Sequence, residues 1–177
     1  MDLLTAREFW FLFHLGVGVA FIHGSVGGIA ALLRRPAGIE DKDMWHVVRA
    51  SSTALMALAV WIAVVTGTWL VYPGYRATPV SATDLTAYPR DWLLAGGDLA
   101  FWHTFGMEWK EHVGWIAPFL ATAVAFSVMR YRSVVTRDPE VRRLVARLFV
   151  IATSVALVAA ALGAAINAVA PNEFLDL

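Results

Sequence analysis

The chain has 177 residues, of which 59% are hydrophobic and only 16% charged, with a formal net charge of zero and a mean hydropathy of +0.62. Soluble domains usually run at about 45–50% apolar and about 25% charged residues, so the composition is that of a membrane protein. The absence of cysteine excludes disulfides, Cys zinc sites, iron–sulfur clusters, Cys nucleophiles and covalently attached haem, and the balanced charge offers no nucleic-acid surface.

A transmembrane helix needs about 20 mostly apolar residues. Residues 9–33 form the first such stretch. It follows Asp2, Arg7 and Glu8 and is too long for a cleavable signal peptide. Gly16, Ala20, Gly24 and Gly28 recur along it every four residues, a spacing that lets helices approach closely. His14 lies in its first half with Gly18 one turn on. His23 lies nine residues after His14, about 13.5 Å of rise and on the opposite face. A basic connection comes next, then a second span over residues 54–72, opened by Ser51, Ser52 and Thr53 and closed by Trp69, Tyr72 and Tyr75.

Residues 73–109 are too many for a simple connection, and loops of that length are usually functional or partly structured. The Pro-, Ser- and Thr-rich part over 73–89 reads as irregular. Asp91-Trp92-Leu93-Leu94 reads as a short turn stopped by Gly96-Gly97, and Asp98 as the cap of a helix running into the third span. Trp92, Leu99, Phe101, Trp102 and Phe105 are expected to cover the mouth of the bundle rather than lie free on the membrane, because a surface helix favours basic residues and this one has almost none. The third span covers 113–129 and contains Pro118, which leaves the carbonyl of Gly114 without its helical donor and predicts a kink. The fourth covers 144–169, with Ala152, Ala156, Ala160, Ala164 and Ala168 as a second stripe of small residues. The expected fold is all-α: an integral membrane four-helix bundle, a single domain over 1–177 with a partly helical loop at 73–109.

Basic residues orient such a bundle. Segments 34–49 and 130–147 carry ten of the fourteen Lys and Arg, against five of the fourteen acids, giving +5 on that side and −5 on the other. The basic side is read as cytoplasmic. Both termini and the long loop then face outward, in an expected bacterial inner membrane.

Five histidines are the main candidates for chemistry: His14, His23, His46, His103 and His112. An ionisable group within a span is costly and marks function by default, although any single His can also be a satisfied packing residue. His14 and His112 fall in the same leaflet, so they are the best pair for two axial ligands of a haem b, with Gly18 leaving room for the macrocycle. His46 lies several residues nearer the cytoplasm than His23, and those two match poorly in depth. Between His103 and His112, an α-helix would place His103, Met107 and Glu111 on one stripe and Glu108 and His112 on another. That pattern allows a non-haem metal at His103, Glu108, Glu111 and His112, the orienting of a haem-ligating His112 by Glu108, or simply a solvated helix start; His14 is a metal ligand only as the partner of His112 on a haem iron. Asn167 near the end of the fourth span can cap the bundle or bond a cofactor.

No span has a Lys, Asp or Glu at its centre, which argues against an ion-coupled transporter. There is no phosphate-binding glycine loop and no Ser–His–Asp arrangement with sequence support. Four helices with histidines near their ends resemble, in layout along the whole chain, membrane cytochrome b subunits, although the second and fourth helices lack a mid-membrane His. The resemblance implies an electron-transfer subunit with haem b exchanging electrons with a quinone or an outer-side protein partner. The alternatives are a cofactor-free membrane anchor or interaction subunit, and a protein with a non-haem metal at the outer face.

The native chain has no cysteine, so single cysteines report topology cleanly. Cysteine replacing Ser81 should be labelled from outside intact cells and cysteine replacing Thr136 should not. Preferential outside labelling at 136 would reverse the orientation.

Overall fold

The structure is a computed structural model that describes residues 6–34, 39–79 and 84–171. The basic and acidic residues Arg35, Glu40, Asp41, Lys42 and Asp43, expected on the cytoplasmic side, have side chains outside the described residues. Among the described residues the fold is all-helical, with no strand.

The elements are α1 (Ala6–Leu33), α2 (Ile39–Thr66), α3 (Tyr72–Tyr75), α4 (Pro89–Ala95), α5 (Glu108–His112), α6 (Ile116–Arg130), α7 (Arg132–Arg137) and α8 (Pro139–Val169). Four helical stretches are long and apolar enough to cross a membrane: Gly16–Leu33, Met44–Tyr75, Gly97–Arg130 and Pro139–Val169. Two of them are longer than hydropathy alone suggested. The second begins well before residue 54 and continues through a π-helical turn, Gly67–Val71, into α3. The third begins near Gly97, passes through a 3-10 turn (Gly97–Leu99) and a π-helix (Trp102–Met107), and reaches α5. The expected helix from Asp98 to Lys110 is therefore present, with a tighter turn at its start and a wider π-helical stretch within it. Asp98 lies inside the first turn and does not cap it, since no side chain bonds the helix start.

Pro118 explains the gap between α5 and α6. It has no N–H for the carbonyl of Gly114, and the chain turns over residues 113–115, where the Gly114 N–H reaches back to Trp109 at 3.3 Å. A Cβ on Gly114 would lie 2.5 Å from the carbonyl oxygen of Lys110, so only glycine closes this turn. At the other end of the loop α4 stops at Gly96, and Gly97 takes a φ of +61°, a region that glycine enters without cost. Ahead of α4, Asp84 accepts hydrogen bonds from the Thr86 N–H (3.0 Å) and hydroxyl (2.9 Å), which hold its carboxyl below the usual range.

The residues divide into two compact units, one of Met1–Leu12, Val64–Trp115 and Leu157–Leu177, the other of Phe13–Ala63 and Ile116–Ala156. The core of the second unit is built from small side chains. Ala31, Ala59, Ala117, Ala121 and Ala152 are buried around Leu32, Met56, Val124 and Phe149. The glycine stripe of α1 takes part only from Gly24 onward. A Cβ on Gly24 would meet the backbone N of Met56 at 2.5 Å, and one on Gly28 the ring of Phe149 at 2.5 Å, whereas Gly16 has no described atom within 4 Å of that position. The alanine stripe of α8 is likewise buried at Ala152 and exposed at Ala160, Ala164 and Ala168. Trp61 ties α2 to α6, its indole N–H donating to the Thr122 hydroxyl at 2.9 Å. Within an 18-residue apolar window of each long stretch only 22–39% of the residues are buried within the chain, and large side chains such as Val26, Val47, Leu58 and Phe119 face outward.

The two kinds of glycine should respond oppositely to substitution. Gly24→Val drives a side chain into backbone and should cost about 1–3 kcal/mol or more. Gly16→Ala should be neutral or stabilise by up to about 1 kcal/mol through helix propensity. Thermal unfolding in detergent reads both; equal loss at the two positions would refute this packing.

Candidate functional site

The first unit holds a polar cluster set into apolar packing. Each of the two long helices that contribute to it carries a π-helical segment there. One extra residue in a turn rotates the rest of the helix by about 100°, and so decides which side chains meet. Tyr75, just after the first π-segment, and His103, inside the second, are 4% and 6% exposed and share a hydrogen bond of 2.9 Å between the phenol oxygen and Nδ1. Leu93, Met107, Ile166 and Ala170 are buried with Tyr75, and Tyr72, Trp92, Leu99, Trp102 and Val169 pack against them. The expected aromatic cover is thus divided. Trp92, Leu99 and Trp102 close over the cluster, while Phe101 and Phe105 point away, exposed and stacked at 5.1 Å.

Arg76 organises the rim. Its Nε donates to the Tyr72 hydroxyl, and its Nη2 donates to Glu111 Oε2 at 3.3 Å. The bond to Tyr72 is the main reason that its pKa is raised, with further help from the negative charge of Glu111. The Oε1 of Glu111 is buried without a hydrogen-bond partner. Lys110 lies along α8 at Gly163, where a Cβ would come within 2.8 Å of its Nζ.

The two stripes expected between His103 and His112 are present. His103 and Met107 are buried and Glu111 is largely so, while Glu108 and His112 are 43% and 73% exposed. The stripes do not form one donor set. His103 is taken up by Tyr75 and Glu111 by Arg76, and among the described residues no three His, Asp or Glu side chains converge to hold a metal ion. Glu108 does not receive the ring proton of His112 through its carboxylate, which stands 3.7 Å away. The backbone carbonyl of Glu108 receives it instead, 2.8 Å from Nδ1. A carbonyl can only accept, so Nδ1 carries a proton, and in the neutral imidazole Nε2 keeps the lone pair.

His14 is exposed on α1, as are Gly16 and Gly18, and no described atom crowds either glycine. His14 belongs to the second unit and His112 to the first. His23 repeats the arrangement of His112: it is exposed, with Nδ1 3.0 Å from the carbonyl of Val19, and sequence reasoning set it aside on depth alone. Tyr72 and Tyr75 entered the sequence reading only as the residues closing the second span, and Arg76 and Lys110 had no role in it. The signal that would have found them is the register shift of the π-segments, which residue spacing does not carry. Asn167 is exposed near the end of α8.

Comparison with known protein families, curated proteins and solved structures returned no match.

The Tyr75–His103 bond is the most enclosed polar contact of the first unit. Tyr75→Phe leaves a buried imidazole nitrogen unpaired and should cost about 1–3 kcal/mol. A double-mutant cycle with His103→Leu should give a coupling of at least about 0.5 kcal/mol, and strict additivity in thermal unfolding would show that the two groups do not interact.

Proposed function

We propose that the chain is an integral membrane redox subunit, a four-helix bundle that binds haem b and passes electrons to or from a quinone or a protein partner at the outer face. The observation that carries this reading is the imidazole of His112. Its proton is fixed on Nδ1 by its own helix, and its bare Nε2 stands on an exposed side chain. An iron takes the lone pair of an imidazole whose other nitrogen is held in this way. His14 is the proposed second imidazole ligand, from its place in the first span, and the open space at Gly18 would leave room for the edge of a flat group. Bound haem would supply one-electron chemistry; the chain would supply the imidazoles and hold the Nδ1 proton of His112.

The membrane part of the proposal rests on the four long apolar helices and on the outward-facing Val, Leu and Phe side chains, which acyl chains cover at no cost. The basic split supports the proposed topology with both termini outside, and the proposed location is a bacterial inner membrane. A second reading, a cofactor-free anchor or interaction subunit, is favoured by one observation: Phe101 and Phe105 form a stacked apolar pair, 53% and 49% exposed, of the kind that a partner protein covers. A non-haem metal has less to stand on, a single carboxylate and a single imidazole 3.7 Å apart.

An optical spectrum of the protein purified from haem-replete cells separates these readings. A Soret band with a b-type α-band on reduction is expected. His112→Ala and His14→Ala should each abolish it and His46→Ala should leave it. Loss in His23→Ala with retention in His14→Ala would reassign the ligand on α1. A colourless protein would leave the anchor as the function.

A further inference from the structure

The second unit contains a charge that its own described residues do not balance. Arg49 on α2 is fully buried, at 0% exposure. A guanidinium has five N–H donors. Here Nη2 donates to the Thr136 hydroxyl at 3.3 Å, while Nε and Nη1 have no partner at all. Arg142 on α8, 8% exposed, donates from Nη1 to the carbonyl of the same Thr136 at 3.3 Å. Two cations therefore share one neutral residue at the end of α7, and Arg142 and Arg132 both add positive potential at Arg49. No carboxylate among the described residues pairs with Arg49 or Arg142. Asp138, close in sequence, uses its Oδ1 on the N–H groups of Glu140 (2.8 Å) and Val141 (3.2 Å) at the start of α8.

A buried cation without a counter-ion is among the most costly arrangements in a protein. What would relieve it is an anion with several acceptor oxygens, and the tetrahedral phosphate group matches diverging guanidinium donors. We propose that Arg49 and Arg142 form a binding site for a phosphate oxyanion, of the kind carried by a phospholipid headgroup or by free phosphate. The surroundings suit the lipid. Arg143, the residue after Arg142, and Arg147 one turn on line an open groove of about 490 Å³ with Leu33, Ala146, Val150 and Ile151. A groove that is mostly apolar and carries two arginines suits an acyl chain with an anionic headgroup. The oxyanion site stands without the haem reading and takes from the membrane reading only the source of the phosphate.

The test uses the full chain in detergent, with thermal unfolding followed on adding phosphatidylglycerol, phosphatidylcholine or inorganic phosphate. Phosphatidylglycerol at saturation should raise the midpoint by about 5–10 °C, and phosphatidylcholine should do far less. A matching shift with inorganic phosphate alone would support the site and name the free ion as its occupant. Arg142→Gln should remove most of the shift, as should Arg49→Gln where it folds. Phosphorus in an organic extract of the purified protein should fall in parallel. The absence of any anion-specific shift in the native chain would overturn the proposal, as would an undiminished shift in Arg142→Gln. It would also fall if Glu40→Gln, Asp41→Asn and Asp43→Asn together destabilised the chain as much as Arg49→Gln, because the chain's own carboxylates would then be the counter-ion.

Discussion

The carbonyl one helical turn back is the acceptor on which this chain's polar side chains depend. Thr53 donates to Arg49, Thr122 to Pro118, Ser127 to Ala123 and Thr153 to Phe149, each at 2.7–2.9 Å. His23 and His112 do the same through Nδ1. In a helical protein with little interior of its own, this local bond lets a hydroxyl or imidazole sit on an apolar helix without a partner on another element. For a hydroxyl the matter ends there. For an imidazole it does not, because the bond fixes which nitrogen keeps the proton and leaves the other basic. The same local rule that satisfies Ser and Thr thus leaves a neutral His with one free acceptor nitrogen.

The side chains that escape this rule are few, and they mark the places where separate helices are held together. Tyr75 with His103 and Arg76 with Glu111 join the second and third long helices in the first unit. Trp61 with Thr122 and Arg49 with Thr136 tie α2 to α6 and α7 in the second. In the first unit the meeting depends on the π-segments Gly67–Val71 and Trp102–Met107, because each shifts the face of its helix by about one residue. With ordinary α-turns there, the facing residues would differ.

This is also where sequence reading ran out. The four long helices were legible because hydropathy is a sum over many residues and tolerates local error. Their lengths were not, because α2 and the Gly97–Arg130 stretch continue through polar and aromatic residues that tertiary contacts, not composition, keep helical. The break before α6 was legible from Pro118 alone, since a missing N–H has one consequence. The glycine stripe was half legible. Spacing placed Gly16 and Gly24 on one face, but only Gly24 has a neighbour close enough to need the missing Cβ. In the candidate site the stripe of Glu108 and His112 followed from a period of 3.6, while the Tyr75–His103 pair did not, because a π-turn has no reliable residue signature. Arg49 passed as one more basic residue of a connection; its burial comes from α7 and α8, far away in sequence.

The two units meet the cost of charge in different ways. In the first, Arg76 and Glu111 are 39% and 19% exposed, so water screens them and their pairing contributes no more than about 1 kcal/mol. The pair positions Tyr72 and the end of the second long helix more than it stabilises anything. In the second, Arg49 has no water to fall back on, and an uncompensated buried guanidinium costs on the order of several kcal/mol. A chain that also has to offset the entropy of ordering long helices cannot easily carry such a deficit within the usual margin of about 5–15 kcal/mol. The demand for a counter-charge is therefore built into the packing of α2 against α7 and α8. It does not arise in the same form at the cluster around Tyr75, where His103 meets a phenol hydroxyl and Arg76 an opposite charge.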